Sequence, residues 1–170
     1  RIVPQLFSHA GIFLLLQLGV MAAWGFDTLI IAAKLGPASA GLYAVVQKMF
    51  QVVTYPLAII NAPLWPAYTE AHARRDRAFI TKTLKYSLVL TAAVAITAIS
   101  VISIFHGEIT RIWLHSSLEI PITLIIAYAC WTFFDATGNA YAMFMNGIGL
   151  LKPQLVTNLV FIFLAIILKI

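Results

Sequence analysis

The chain has 170 residues, of which 62% are hydrophobic and 10% charged, with a net charge of +5; ordinary soluble domains run near 45–50% and about 25%. A water-soluble globule of this size cannot hide so much apolar surface, and the charges collect in narrow windows between long uncharged runs. The composition excludes a soluble domain and makes lipid the solvent.

A bilayer core of about 30 Å needs roughly 20 apolar residues at about 1.5 Å of rise each. The first predicted span covers 12–33, interrupted by Asp27, and ends at Lys34-Leu35-Gly36-Pro37, where Gly and Pro impose a tight turn. It is too long and lies too far from the chain start for a signal peptide's apolar region. The second span covers 38–64 and carries Lys48 and Pro56; Pro56 kinks it, and Asn61, Pro63 and Pro66 loosen its end. A strongly charged stretch, 65–85, follows as a helical hairpin at the headgroup level, with Trp65 and Tyr68 as interface anchors. The third span, 86–105, is rich in Val, Ile, Ala and Thr, and its uninterrupted length decides for helix over strand. After a loop over 106–120 comes the fourth span, 121–145, interrupted by Asp135. The Gly147-Ile148-Gly149 turn and Lys152-Pro153 lead into a fifth, 154–170. The expected fold is an all-α, polytopic transmembrane helix bundle. Arg1 at the start and Lys169-Ile170 at the end make the chain read as a fragment of a longer protein.

Orientation follows from the short loops. Arg1, Arg74, Arg75, Arg77, Lys82, Lys85 and Lys152 fall on one side; Lys34, Arg111 and Lys169 fall on the other. The richer side is assigned to the cytoplasm. Topology thus accounts for the basic balance, and no nucleic-acid partner is expected. Cys130 sits alone in an apolar run as a small packing residue, and the four histidines, His9, His72, His106 and His115, have no ligand spacing. No metal site, cofactor or catalytic residue is expected, and nothing in the sequence argues for an enzyme.

Charges inside spans are the most informative residues, because one near a helix centre costs about 2.5–3.5 kcal/mol on insertion scales. From the span ends, Asp27, Lys48 and Asp135 come at depths of roughly 9, 15 and 21 Å. Asp27 and Lys48 stand on helices joined by a tight turn and are within reach of each other. Such a pair either neutralises itself and locks two helices, or lines a polar cavity in which Lys48 attracts an anionic headgroup and Asp27 is a counter-ion or cation site. Thr132, Asp135, Asn139 and Asn146 share one face of the fourth span, which fits an aqueous path well, with interhelical hydrogen bonding as the alternative. Arg74, Arg75 and Arg77 are placed at anionic lipid headgroups or at a cytoplasmic gate.

Three stretches resemble the polysaccharide flippases, of the O-antigen type, in the multidrug, oligosaccharidyl-lipid and polysaccharide exporter superfamily. The first is Asp27-Thr28-Leu29-Ile30-Ile31 with Leu35-Gly36 and Ala40-Gly41-Leu42-Tyr43-Ala44-Val45. The second is Pro63-Leu64-Trp65-Pro66-Ala67-Tyr68-Thr69-Glu70-Ala71 with Asp76, and the third Asn139-Ala140 through Met145-Asn146-Gly147-Ile148-Gly149. The resemblance implies a transporter of twelve to fourteen helices in two lobes, with this chain as the opening five helices of the second lobe. Its implied partners are a lipid-linked oligosaccharide of the polyprenyl-pyrophosphate type, membrane lipid and the remaining helices of the same protein. The implied location is the bacterial inner membrane, and the implied activity is flipping from the cytoplasmic to the outer leaflet by alternating access. Lys48 would touch the headgroup, with Asp27 and Asn139 beside it in the cavity. Asp27 and Asp135 are candidates for ion coupling on membrane depth alone. Two other readings stay open: a cation-coupled multidrug exporter of the same superfamily, and a non-transporting membrane scaffold.

Overall fold

The computed structural model describes residues 25–115 and 118–169. Every regular element among them is helical: a stretch over 25–35 (α1), then α2 (Pro37–Asn61), α3 (Leu64–Ala73), α4 (Arg77–Leu114), α5 (Ile122–Gly147) and α6 (Leu151–Lys169). The chain is therefore all-α over the described residues. Two stretches, Pro37–Ala73 and Arg77–Leu114, are long and apolar enough to cross a membrane. Residues 12–24 of the first expected span, and Arg1, lie outside the described residues.

The helices divide into two compact units, one up to Gly41 together with the chain from Leu151, the other Leu42–Leu150. In the first, Gly36 is the single non-helical residue between α1 and α2. Its φ of +86° is a conformation that residues with a Cβ rarely adopt, and its N–H still donates to the Ala32 carbonyl at 3.1 Å. In α6, Thr157 Oγ1 donates back to the Pro153 carbonyl at 2.9 Å.

The second unit contains most of α2 and all of α3, α4 and α5. Asn61 ends α2, and Pro63 immediately precedes α3, whose first turn holds Pro66. A proline there loses little, because first-turn N–H groups have no intrahelical acceptor. The turn Arg74-Arg75-Asp76 joins α3 to α4: Arg75 takes a left-handed φ of 59°, and the Asp76 N–H reaches back to the Ala71 carbonyl at 2.9 Å. Asp76 then caps α4, its Oδ1 accepting from the Phe79 N–H at 2.9 Å.

Side-chain contacts fix the register of these helices. Val46, Met49 and Phe50 cluster with Ile125, packed by Ile102 and Ile109; Val53 and Leu57 cluster with Ala95 and Ala136. Further along, the Asn61 amide donates to Thr91 Oγ1 at 3.3 Å, and the Tyr68 hydroxyl shares a hydrogen bond with Ser87 Oγ at 3.4 Å. Each step along α2 and α3 is thus matched by a step backwards along α4, while α5 runs parallel to α2. At the end of α5, Gly147 meets Trp65 and Tyr68 of α3, and Tyr68 packs edge-on to Phe144 with ring centroids 5.6 Å apart.

Three expectations change. The segment 106–120, read as a loop, is helical as far as Leu114. Its polar residues are satisfied within the helix: Thr110 Oγ1 bonds the His106 carbonyl at 3.0 Å, and Arg111 pairs with Glu108. Asn61 does not loosen the end of α2 but ties it to α4, at 2% exposure. Cys130 is exposed instead of packed. Because Asn61 and Thr91 satisfy each other out of water, a double-mutant cycle between Asn61→Ala and Thr91→Val, read by unfolding in detergent, should return a coupling of about 0.6–1.7 kcal/mol.

Candidate functional site

The longest element supplies the ruler. Between Lys85 and Glu108, α4 carries no Asp, Glu, Lys or Arg, a run of roughly 33 Å at about 1.5 Å per residue. Its middle falls at Ala95–Ala98. Ala95 and Ala98 pack with Ala136, so the neighbouring Asp135 stands level with the centre of the uncharged run. Asp135 is half-buried, and among the described residues no hydrogen bond or ion pair reaches its carboxylate.

At about 100° per residue, Tyr128, Thr132, Asp135, Asn139 and Asn146 fall within an arc of about 60° along α5. This polar stripe borders the packed stripe of Ile125, Thr132, Ala136, Ala140 and Gly147. One turn beyond Asp135, Asn139 Oδ1 is buried without a hydrogen-bond partner among the described residues. Asn146 lies next to Gly147, level with Tyr68 and hence with the Lys85 end of α4. In the opposite direction the stripe ends in aromatic rings, Tyr128 stacking on Phe50 at 5.8 Å between centroids and tilting against Tyr43 at 5.4 Å. The polar stripe therefore continues on both sides of Asp135, as Asn139 and Asn146 toward the basic end and as Thr132 and Tyr128 toward the other, where the Tyr128 ring packs among aromatic neighbours.

Lys48 lies at another level. It precedes Met49 and Phe50, which pack near Ile102 and Ile109, so it stands close to the Glu108 end of the run. Its side chain is exposed, with Nζ donating to Gln51 Oε1 at 2.9 Å. The axial step from Lys48 to the level of Asp135 is about six residues, or roughly 9 Å. Asp27 belongs to the other compact unit, where it is half-buried on α1.

The arginines share the turn before α4. Arg74 pairs with Glu70 at 3.1 Å, one turn back on an exposed face, an ion pair of small energetic worth. Arg75 and Arg77 are exposed, and no acidic side chain pairs with either among the described residues. Among those residues there is also no group of three or more His, Cys, Asp or Glu that could hold a metal ion.

The structure thus brings Asp135 and Asn139 onto one stripe of α5 and gathers Arg74, Arg75 and Arg77 into one turn, while Lys48 keeps to a different level. The sequence reading missed Tyr128 as the aromatic end of the stripe and Ser87 and Thr91 as partners of Tyr68 and Asn61. Tyr128 stands seven residues before Asp135, a heptad spacing that could have flagged it. Compared with protein families, curated proteins and solved structures, the chain matches none.

Proposed function

We propose that this chain forms part of a membrane transporter that flips lipid-linked oligosaccharide units from the cytoplasmic to the outer leaflet of a bacterial inner membrane by alternating access. The observation that carries the transporter reading is the carboxylate of Asp135 on a polar stripe, unpaired among the described residues. With the uncharged run of α4 laid across a hydrocarbon core of about 30 Å, Asp135 falls near the midplane. A carboxylate there costs about 2.5–3.5 kcal/mol on insertion scales. A scaffold would pair such a group or replace it, since an uncompensated charge only destabilises. An unpaired one is useful where water and ions reach it.

In this reading α2, α4 and α5 of the second unit span the membrane, with the basic turn Arg74-Arg75-Asp76-Arg77 on the cytoplasmic side. Asn139 and Asn146 continue the polar stripe from the midplane toward that side, and Thr132 and Tyr128 continue it toward the other. The oligosaccharide substrate is supported by the resemblance of the stretches around Asp27, Trp65 and Asn139 to the polysaccharide flippases. Lys48, exposed one to two turns inside the outer border, contacts the anionic headgroup as it leaves.

The test is flipping of a labelled polyprenyl-pyrophosphate oligosaccharide by the full-length protein in vesicles. Label should become accessible in the opposite leaflet with the wild type and markedly more slowly with Lys48→Ala. Unchanged flipping in that variant removes the headgroup role. Drug resistance conferred by the protein, with no flipping, replaces this reading by the cation-coupled exporter.

A further inference from the structure

The cytoplasmic end of α4 carries more positive charge than its neighbours neutralise. Between Arg74 and Lys85 stand five basic residues, and the nearby acids are already engaged: Glu70 with Arg74, and Asp76 with the Phe79 N–H. Lys82 and Lys85 are exposed, and neither has an acidic partner among the described residues. The two stand three residues apart and so project from one face. With Ala78, Thr81, Tyr86 and Val89 they line one open recess on the surface of α4.

The residues beyond Lys85 on the same face set the class of ligand. Tyr86, Val89, Ala93, Ile96, Ser100 and Ile104 continue the stripe of Lys82 at about 100° per residue, and all are exposed. The opposite face is the packed one, with Ser87, Thr91 and Ala95 buried. Two unneutralised ammonium groups thus sit directly above an exposed, nearly apolar strip. A soluble polyanion would use the lysines and leave the strip unoccupied. An anionic phospholipid complements both, its phosphodiester between Lys82 and Lys85, its glycerol region against Tyr86 and an acyl chain along Val89, Ala93 and Ile96.

We infer that this face of α4 is a binding site for an anionic phospholipid of the cytoplasmic leaflet. The inference rests on the membrane-spanning part of the proposed function and not on the transported substrate. A protein that binds the lipid without flipping oligosaccharide keeps this site and loses that substrate. A protein that flips without lipid preference does the reverse.

Native mass spectrometry of the full-length protein in detergent, titrated with phosphatidylglycerol or phosphatidylcholine, measures the preference. A basic residue near a membrane surface contributes a factor of about five, so the pair predicts roughly thirtyfold tighter binding of phosphatidylglycerol. In Lys82→Gln/Lys85→Gln that preference should fall to near unity, in Lys82→Arg/Lys85→Arg it should persist, and in Arg111→Gln, at the far end of α4, it should be unchanged. Single Gln variants, each losing about fivefold, decide the matter if the double variant loses its helical circular dichroism. The inference is overturned by equal retention of the two lipids in the wild type, or by a preference that survives loss of both lysines. It is also overturned if Arg111→Gln abolishes the preference as fully, or if glycerophosphoglycerol without acyl chains binds as tightly as the lipid.

Discussion

Gly147→Leu should prevent the second unit from assembling, and Gly147→Ala should destabilise it by about 2–3 kcal/mol, at the upper end of what overpacking a close contact costs. A Cβ added at Gly147 would run into Tyr68 Cβ, lie 2.9 Å from the Trp65 carbonyl oxygen and 3.3 Å from the Thr69 nitrogen. Two of these atoms are backbone and the third is the first atom of a fully buried side chain, so none can swing aside. Relief requires moving α3 away from α5, which opens the Tyr68–Phe144 ring contact and the Tyr68–Ser87 hydrogen bond. Small residues at helix interfaces are how membrane helices approach closely, because lipid tails provide no hydrophobic force between helices. Gly138 supplies the control: an added Cβ there meets open space, so Gly138→Ala should be neutral or stabilising by up to about 1 kcal/mol through helix propensity. Thermal unfolding of the purified variants in one detergent distinguishes the two. Equal melting of Gly147→Ala and wild type would show that the close approach of α3 to α5 does not limit stability.

The same pair of glycines shows what was legible in the sequence. Gly138, Gly147 and Gly149 look alike as letters, and helical periodicity does not say which one touches a neighbour; the register that brings Gly147 onto Tyr68 is a property of three helices together. Helix existence, by contrast, was written into uninterrupted apolar length, and the stop at Gly36 into a residue suited to positive φ. Helix ends were harder wherever charge was taken to mean loop. Glu108 and Arg111 stand three residues apart and pair on a helix surface, so α4 runs through them to Leu114. Asn61 misled for a similar reason: a polar residue near two prolines reads as a loosened end, but its partner Thr91 is thirty residues away in sequence. The polar stripe of α5 was legible because its members share one helix. The separation in level between Lys48 and Asp135 was not, because depths counted from two span ends carry the error of both ends. Packing of Phe50 near Ile102 and of Ala136 near Ala95 replaces that count with a common ruler.

On the proposed transporter reading, Asp135→Asn should abolish transport while leaving the protein as stable as before or more so. The two readings of the carboxylate pull in opposite directions here. If Asp135 only held helices together, its loss would remove a stabilising bond, and stability would fall. No bond to it exists among the described residues, so a neutral side chain of the same shape relieves a desolvated charge and breaks nothing. Asp135→Leu extends the comparison: with insertion costs of about 2.5–3.5 kcal/mol for a central carboxylate, part of that cost should return as resistance to unfolding. Asn139→Leu belongs in the same series, since its buried Oδ1 lacks a partner among the described residues and an apolar replacement forfeits no hydrogen bond seen at that atom. Transport by the three variants in vesicles, beside their unfolding midpoints in one detergent, gives a pattern that a structural role cannot imitate. Lost transport with retained or raised stability marks groups kept for what passes them; a joint fall in both would assign Asp135 to the packing of α5 and leave the transport path to be sought elsewhere.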